Sequence, residues 1–132
     1  MKKREVLHMS TFLKSIHHVQ LAAPIGAEDQ ARHFYKEILG FSEVEKPAQM
    51  RKNGGCWFEQ GDISLHIGIE TPFVPAEKAH PALYTNDLDG IVEHLKTFDI
   101  PVEFDTRYEG YKRFYIYDPF NNRIEILQKI SD

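Results

Sequence analysis

The chain has 132 residues, enough for one domain or for two small halves sharing a core, and its 42 % apolar and 12 % aromatic content is that of a globular protein. A net charge of −4 argues against nucleic acid as the main partner, because phosphate binding needs a clustered basic face. No apolar run is long enough to cross a bilayer; the single cysteine, Cys56, excludes an intrachain disulfide and fits a reducing cytoplasm.

The opening MKKREVLHMS is basic with no hydrophobic segment behind it. It is expected to be a loose arm over residues 1–14, with Met9 as an alternative start, and not a secretory signal. In SIHHVQLAAP, Val19 and Leu21 alternate with His18 and Gln20, the period of a strand. AEDQARHFYKEILG places Ala31, Phe34, Tyr35 and Ile38 at i, i+3, i+4 and i+7, which predicts an amphipathic helix stopped by Gly40. FSEVEK reads as a short strand, and GGCWFEQGDISLHIGIE as two strands around a turn at Gly61 and Asp62. Within that segment Cys56 reads as a small buried thiol in preference to a reactive nucleophile.

A proline-bearing connector, TPFVPAEKA, covers residues 71–79, and the order then repeats. HPALYT is a strand. NDLDGIVEHLKTFD is a helix with Leu88, Ile91, Val92 and Leu95 on one stripe and Asn86 or Asp87 as its cap. IPVEF is a strand, and KRFYIYDPFNNRIEILQ a hairpin turning at Asp118 to Asn122. The chain is thus a duplicated strand–helix–three-strand unit, module one over residues 15–70 and module two over 80–128.

Overlaying the halves matches His18 with His80 on the first strands, and His66 with Glu125 on the last. In each strand the apolar neighbours sit on the opposite parity, so these four side chains face away from the helices. If the two sheets curl against each other, three imidazoles and a carboxylate meet in one hollow. Such donors suit a borderline divalent ion: zinc, nickel, cobalt, iron or manganese. Singly, each of the four could be an ordinary hydrogen-bonded residue, and His8, His17, His33 and His94 are read that way. Arg113 and Tyr115, with Arg51 and Lys52, are candidates to hold an anionic group on a substrate, against the plainer reading of solvated charge. Trp57, Phe58, Phe73 and Phe104 are candidates for a pocket wall, though aromatics more often fill cores.

The segments IHHVQLAA, ARHFYKEILGF, LHIG, HPALYTNDLDGIVEHL and FYIYDPFNNRIEIL together resemble the vicinal oxygen chelate superfamily. That superfamily includes glyoxalase I, fosfomycin-resistance thiol transferases, methylmalonyl-CoA epimerase, extradiol dioxygenases and bleomycin-binding proteins. DPFNNRIEIL is the most specific piece, with Asn121 standing where the family more often has glycine. The resemblance implies an α+β fold of two βαβββ modules forming a curved mixed-sheet cup with helices outside. It implies His18, His80 and Glu125 as metal ligands, with His66 where glyoxalase I carries glutamate and the epimerase glutamine. It further implies a metal-dependent lyase, isomerase, transferase or dioxygenase acting on an oxygenated small molecule, with a thiol adduct or thiol co-substrate among the options. Glu125 would be the base, and the second carboxylate of a two-base glyoxalase is missing. The alternative is a non-catalytic drug- or metabolite-binding protein. A homodimer is expected, with the cup closed within one chain or across two.

Overall fold

The computed structural model describes residues 11–130. The first ten residues, with His8, Met9 and most of the expected arm, lie outside the described residues.

Module one runs β1 (Val19–Ala23), α1 (Glu28–Ala31) continuing as a π-helical segment (Arg32–Ile38), β2 (Ser42–Val44), a 3-10 turn (Ala48–Asn53), β3 (Cys56–Gln60) and β4 (Ile63–Ile69). Module two runs β5 (Ala82–Tyr84), α2 (Leu88–Lys96), β6 (Glu103–Phe104), β7 (Tyr111–Tyr117) and β8 (Arg123–Lys129). Each module is one four-stranded sheet, ordered β1-β4-β3-β2 and β5-β8-β7-β6. In both, the first strand pairs parallel with the last and the other pairs are antiparallel. This is the α+β duplication expected from the element order.

Alternation sorts the faces. Leu65 and Ile67 of β4, Phe58 of β3, Phe114 and Ile116 of β7, and Ile124 and Ile126 of β8 are buried against the helices. From the first helix Ala31, Phe34, Tyr35 and Ile38 fill the same core, and from α2 Leu88, Val92 and Leu95. The first helix departs from the expected α form. Its exit bond runs from Leu39 N–H to the Phe34 carbonyl at 3.0 Å, a five-residue step, and the wide turn still presents the predicted apolar stripe inward. Gly40 ends it at φ +83°, the left-handed conformation that a helix stop favours. Asp87 caps α2, its side chain accepting from Gly90 N–H at 3.0 Å. The strand expected over residues 100–104 is reduced to Glu103–Phe104, because Pro101 lacks the N–H a ladder needs. The 3-10 turn, unforeseen, carries Met50, Arg51 and Lys52.

The modules are tied by a buried polar knot. Asp118 turns the β7–β8 hairpin by accepting from Phe120 N–H at 2.9 Å and Asn122 N–H at 2.8 Å. Asn121 takes φ +69° in that turn, a conformation asparagine tolerates almost as glycine does. The second oxygen of Asp118 accepts from Tyr35 Oη at 2.7 Å, and Asn122 Nδ2 donates to the Ala22 carbonyl at 2.8 Å. The turn of module two therefore docks on the helix and first strand of module one. His94 adds a third link, its Nε2 lying 2.7 Å from the Ile38 carbonyl at the end of the π-helical segment. Among the described residues no helix is long and apolar enough to cross a membrane.

Candidate functional site

Strand register shows how closely the two halves repeat. Gln20 lies opposite His66 between β1 and β4, and Ala82 opposite Glu125 between β5 and β8. His18 and His80 each stand two residues ahead of those partners, hence on the same face. On the adjacent strand Trp57 lies opposite His66 and Tyr115 opposite Glu125. The duplication thus puts His18 with His80, His66 with Glu125, and Trp57 with Tyr115 at matching points of two sheets, all turned from the core.

In module two the cluster is ionic. His80 Nε2 stands 2.9 Å from Glu125 Oε1, while His80 Nδ1 stands 2.8 Å from the Lys78 carbonyl. A carbonyl can only accept, so Nδ1 carries the proton of that contact. Nε2 would then face the carboxylate as acceptor against acceptor, unless a cation lies between them, either a proton or a metal ion. Glu125 is buried, and its other oxygen accepts from Arg113 at 3.1 Å. Arg113 also reaches Asp105 at 3.4 Å and packs over the Tyr108 and Tyr115 rings. Arg107, through its side chain and backbone N–H, holds the Asp105 carboxyl well below the usual carboxylate range. The guanidinium expected to face a substrate anion is therefore engaged by two carboxylates of its own chain. Tyr115 meets the His80 ring edge-on at 5.4 Å.

In module one the cluster is a stack. His18 lies on His66 with ring centres 4.2 Å apart, and His66 lies on Trp57 at 4.0 Å with the planes 3° apart. Both faces of the His66 ring are covered, which leaves its nitrogens to act at the ring edge. Burial first, then the neighbouring charges of His18, His17 and Lys46, push the His66 pKa from 6.5 down to about 4. At neutral pH it is a neutral imidazole with a free lone pair, the form a metal requires. His18 is exposed, with Nδ1 3.0 Å from Nδ1 of His17. His17, expected toward the helices, is exposed instead, since β1 begins only at Val19.

The two pairs do not meet within one chain. Among the described residues, no three His, Cys, Asp or Glu side chains gather closely enough to hold a metal ion. The other candidates fall as follows. Phe58 is core and Phe104 is half exposed, edge-on to Phe114. Phe73 borders a largely apolar groove of about 610 Å³ between β1 and β5, whose walls include Ile16, Leu21, Val74 and Leu83. Arg51 pairs with Glu45, and Lys52 is exposed. Burial pushes the Cys56 thiol up to about 11, so it is not a thiolate at neutral pH. Sequence reasoning missed Asp105 as a partner of Arg113, since nothing in the local pattern links β6 to β7 at that point.

The chain belongs to the Glyoxalase/Bleomycin resistance protein/Dioxygenase superfamily, whose family model matches residues 15–126. It is 44 % identical to a protein assigned to the glyoxalase family from Bacillus anthracis, with a TM-score of 0.87 over 89 % of this chain and 97 % of that one. The fosfomycin resistance protein FosX from Listeria monocytogenes shares the fold at a TM-score of 0.70 and 16 % identity, over 89 % of this chain and 95 % of that one. Lactoylglutathione lyase from Agrobacterium tumefaciens shares it at 0.69 and 23 % identity, over 88 % and 94 % respectively. No curated protein matches the chain.

Proposed function

We propose that the protein is a metal-dependent enzyme of this superfamily acting on an oxygenated small molecule, with lyase, isomerase or thiol-transferase chemistry. The observation that carries it is the His80–Glu125 pair: a buried carboxylate and an imidazole whose other nitrogen is already fixed by a carbonyl, with donor atoms 2.9 Å apart. Two donors about 2.1 Å from a common ion, at a right angle, stand about 3 Å apart. The Lys78 carbonyl on Nδ1 is the kind of outer contact that orients a ligating histidine.

His80 and Glu125 supply one half of the donor set, and the neutral His66 with His18 the other. Since the pairs are separate within a chain, the reading closes them on one ion between two chains of a homodimer. β1 and β5 are edge strands of their sheets, and the apolar groove beside them offers the dimer surface. When bound, zinc, nickel, cobalt, iron or manganese would polarise a substrate oxygen. Glu125 is the proton acceptor of the face. Arg113 aims it, donating to its other oxygen at 3.1 Å. His66 carries no carboxylate, so one carboxylate serves where a two-base mechanism has two.

Metal content of untagged protein, followed by a hemithioacetal assay on metal-loaded protein, tests this reading. Stoichiometric metal, and turnover lost in Glu125→Gln with metal retained, support it. The apolar groove, of drug-binding size, favours a second reading as a non-catalytic binder of a drug or metabolite. Absence of metal uptake at micromolar nickel, zinc or manganese would favour that one.

A further inference from the structure

The repeat is unequal at one point. Val44 lies opposite Trp57, and Glu103 opposite Tyr115. Two residues further along those strands, Lys46 stands where module two has Asp105; two residues before Trp57, Gly55 stands where module two has Arg113. In module two that space is filled and its charges are balanced, with Arg113 set between Asp105 and Glu125. In module one the guanidinium has become a glycine and the carboxylate an ammonium.

What remains is a pocket of about 140 Å³ lined by Gln20, Lys46, Met50, Asn53, Trp57 and Gly68, among others. Its position beside His66 follows from register, since Gln20 and Trp57 both lie opposite that residue. Backbone packs closely beside it. A Cβ on Gly55, which sits at φ +89°, would fall 2.1 Å from the Ile67 carbonyl oxygen. A Cβ on Gly68 would fall 2.4 Å from Gln20 Nε2, so Gly68 makes the room in which that amide lies.

Lys46 donates to the Gly54 carbonyl and makes no ion pair among the described residues. No carboxylate is in contact with it: Glu28, close enough to feel its charge, accepts from the Gly55 N–H at 2.9 Å, and Glu45 pairs with Arg51. A half-buried ammonium with no carboxylate in direct contact favours an anion placed against it. The Gln20 and Asn53 amides can donate to it, and the Trp57 ring offers a flat apolar wall.

We propose that this pocket binds the carboxylate of a small organic acid, supplying in module one the negative charge that Asp105 supplies in module two. If the face carries the chemistry proposed above, on which this step rests, the substrate is an oxygenated acid whose carboxylate end sits at Lys46 and whose reacting end lies toward His66.

Trp57 is the only tryptophan, so intrinsic fluorescence reads this pocket directly. The full chain, as purified and after metal removal, would be titrated with crotonate and with crotonamide, which share a shape and differ in charge. The expected result is a saturable fluorescence change with crotonate, at least about tenfold weaker with crotonamide. Lys46→Gln should lose that preference and Lys46→Arg keep it. Equal responses to the two compounds, no response to either, or a preference intact in Lys46→Gln would each overturn the proposal. Preference for crotonate in protein that takes up no metal keeps the pocket and removes the metal reading. Metal uptake without the preference does the reverse.

Discussion

Replacing His66 with glutamine gives a sharp test of the environment that the stack creates. In the folded chain burial, reinforced by the neighbouring His18, His17 and Lys46, lowers its pKa from 6.5 to about 4. The unfolded chain therefore takes up a proton before the folded one as pH falls. Stability from the neutral ring is complete above about pH 6.5 and is lost progressively as pH falls toward 4. At pH 4.5 the unfolded ring is almost fully protonated and the folded one mostly neutral, and the difference works out to between about 2 and 3 kcal/mol. Urea unfolding of metal-free protein at pH 7 and at pH 4.5 measures it. The parent should lose about 2 to 3 kcal/mol more than His66→Gln over that interval. Glutamine also loses the ring stacking, but that loss is common to both pH values and cancels in the comparison. Equal losses in the two proteins would refute the account of a buried neutral imidazole.

Three further substitutions and one control probe the frame. Tyr35→Phe removes the hydrogen bond to Asp118, a charged acceptor, and should cost about 2 kcal/mol in urea unfolding without opening a cavity; a change under about 0.5 kcal/mol would argue against the knot between modules. Gly55→Ala should cost well over the ~1 kcal/mol that a left-handed alanine alone costs, because its Cβ would strike the Ile67 carbonyl. Gly61→Ala, also at positive φ but with open space around it, is the control and should cost about 1 kcal/mol. Arg113→Gln strands the buried Glu125 without its cation, while Asp105 keeps Arg107, and should cost about 3 kcal/mol. Combining it with Glu125→Gln should restore part of that loss, and strict additivity in the double-mutant cycle would show that the two side chains are not coupled.

The period-two and helical stripes made the faces of both sheets and both helices legible, and the duplication singled out His18, His66, His80 and Glu125 on the faces turned from the helices, though as one converging set where a single chain holds them as two pairs. These follow from local alternation, which one chain segment encodes by itself. What the pattern could not carry was contact between distant segments. Arg113 reads as a free cation on a strand, yet Asp105 and Glu125 claim it from two neighbouring strands. Asp118 reads as a turn residue, yet Tyr35 reaches it from the other module. The π-helical widening and the 3-10 turn leave the apolar stripe and the loop composition unchanged, so neither has a signature in spacing. Lys46 became visible only when strand register set it against Asp105.

On the proposed reading, His80 and Glu125 are two donors to one ion completed by His18 and His66 of a second chain. Anomalous scattering from crystals of metal-loaded protein measures this most directly. The expected result is a peak bonded to His80 Nε2 and Glu125 Oε1, with the two histidines of the other copy on the same ion. A peak elsewhere, or none at full metal loading with the 2.9 Å contact between His80 and Glu125 unchanged, would contradict it.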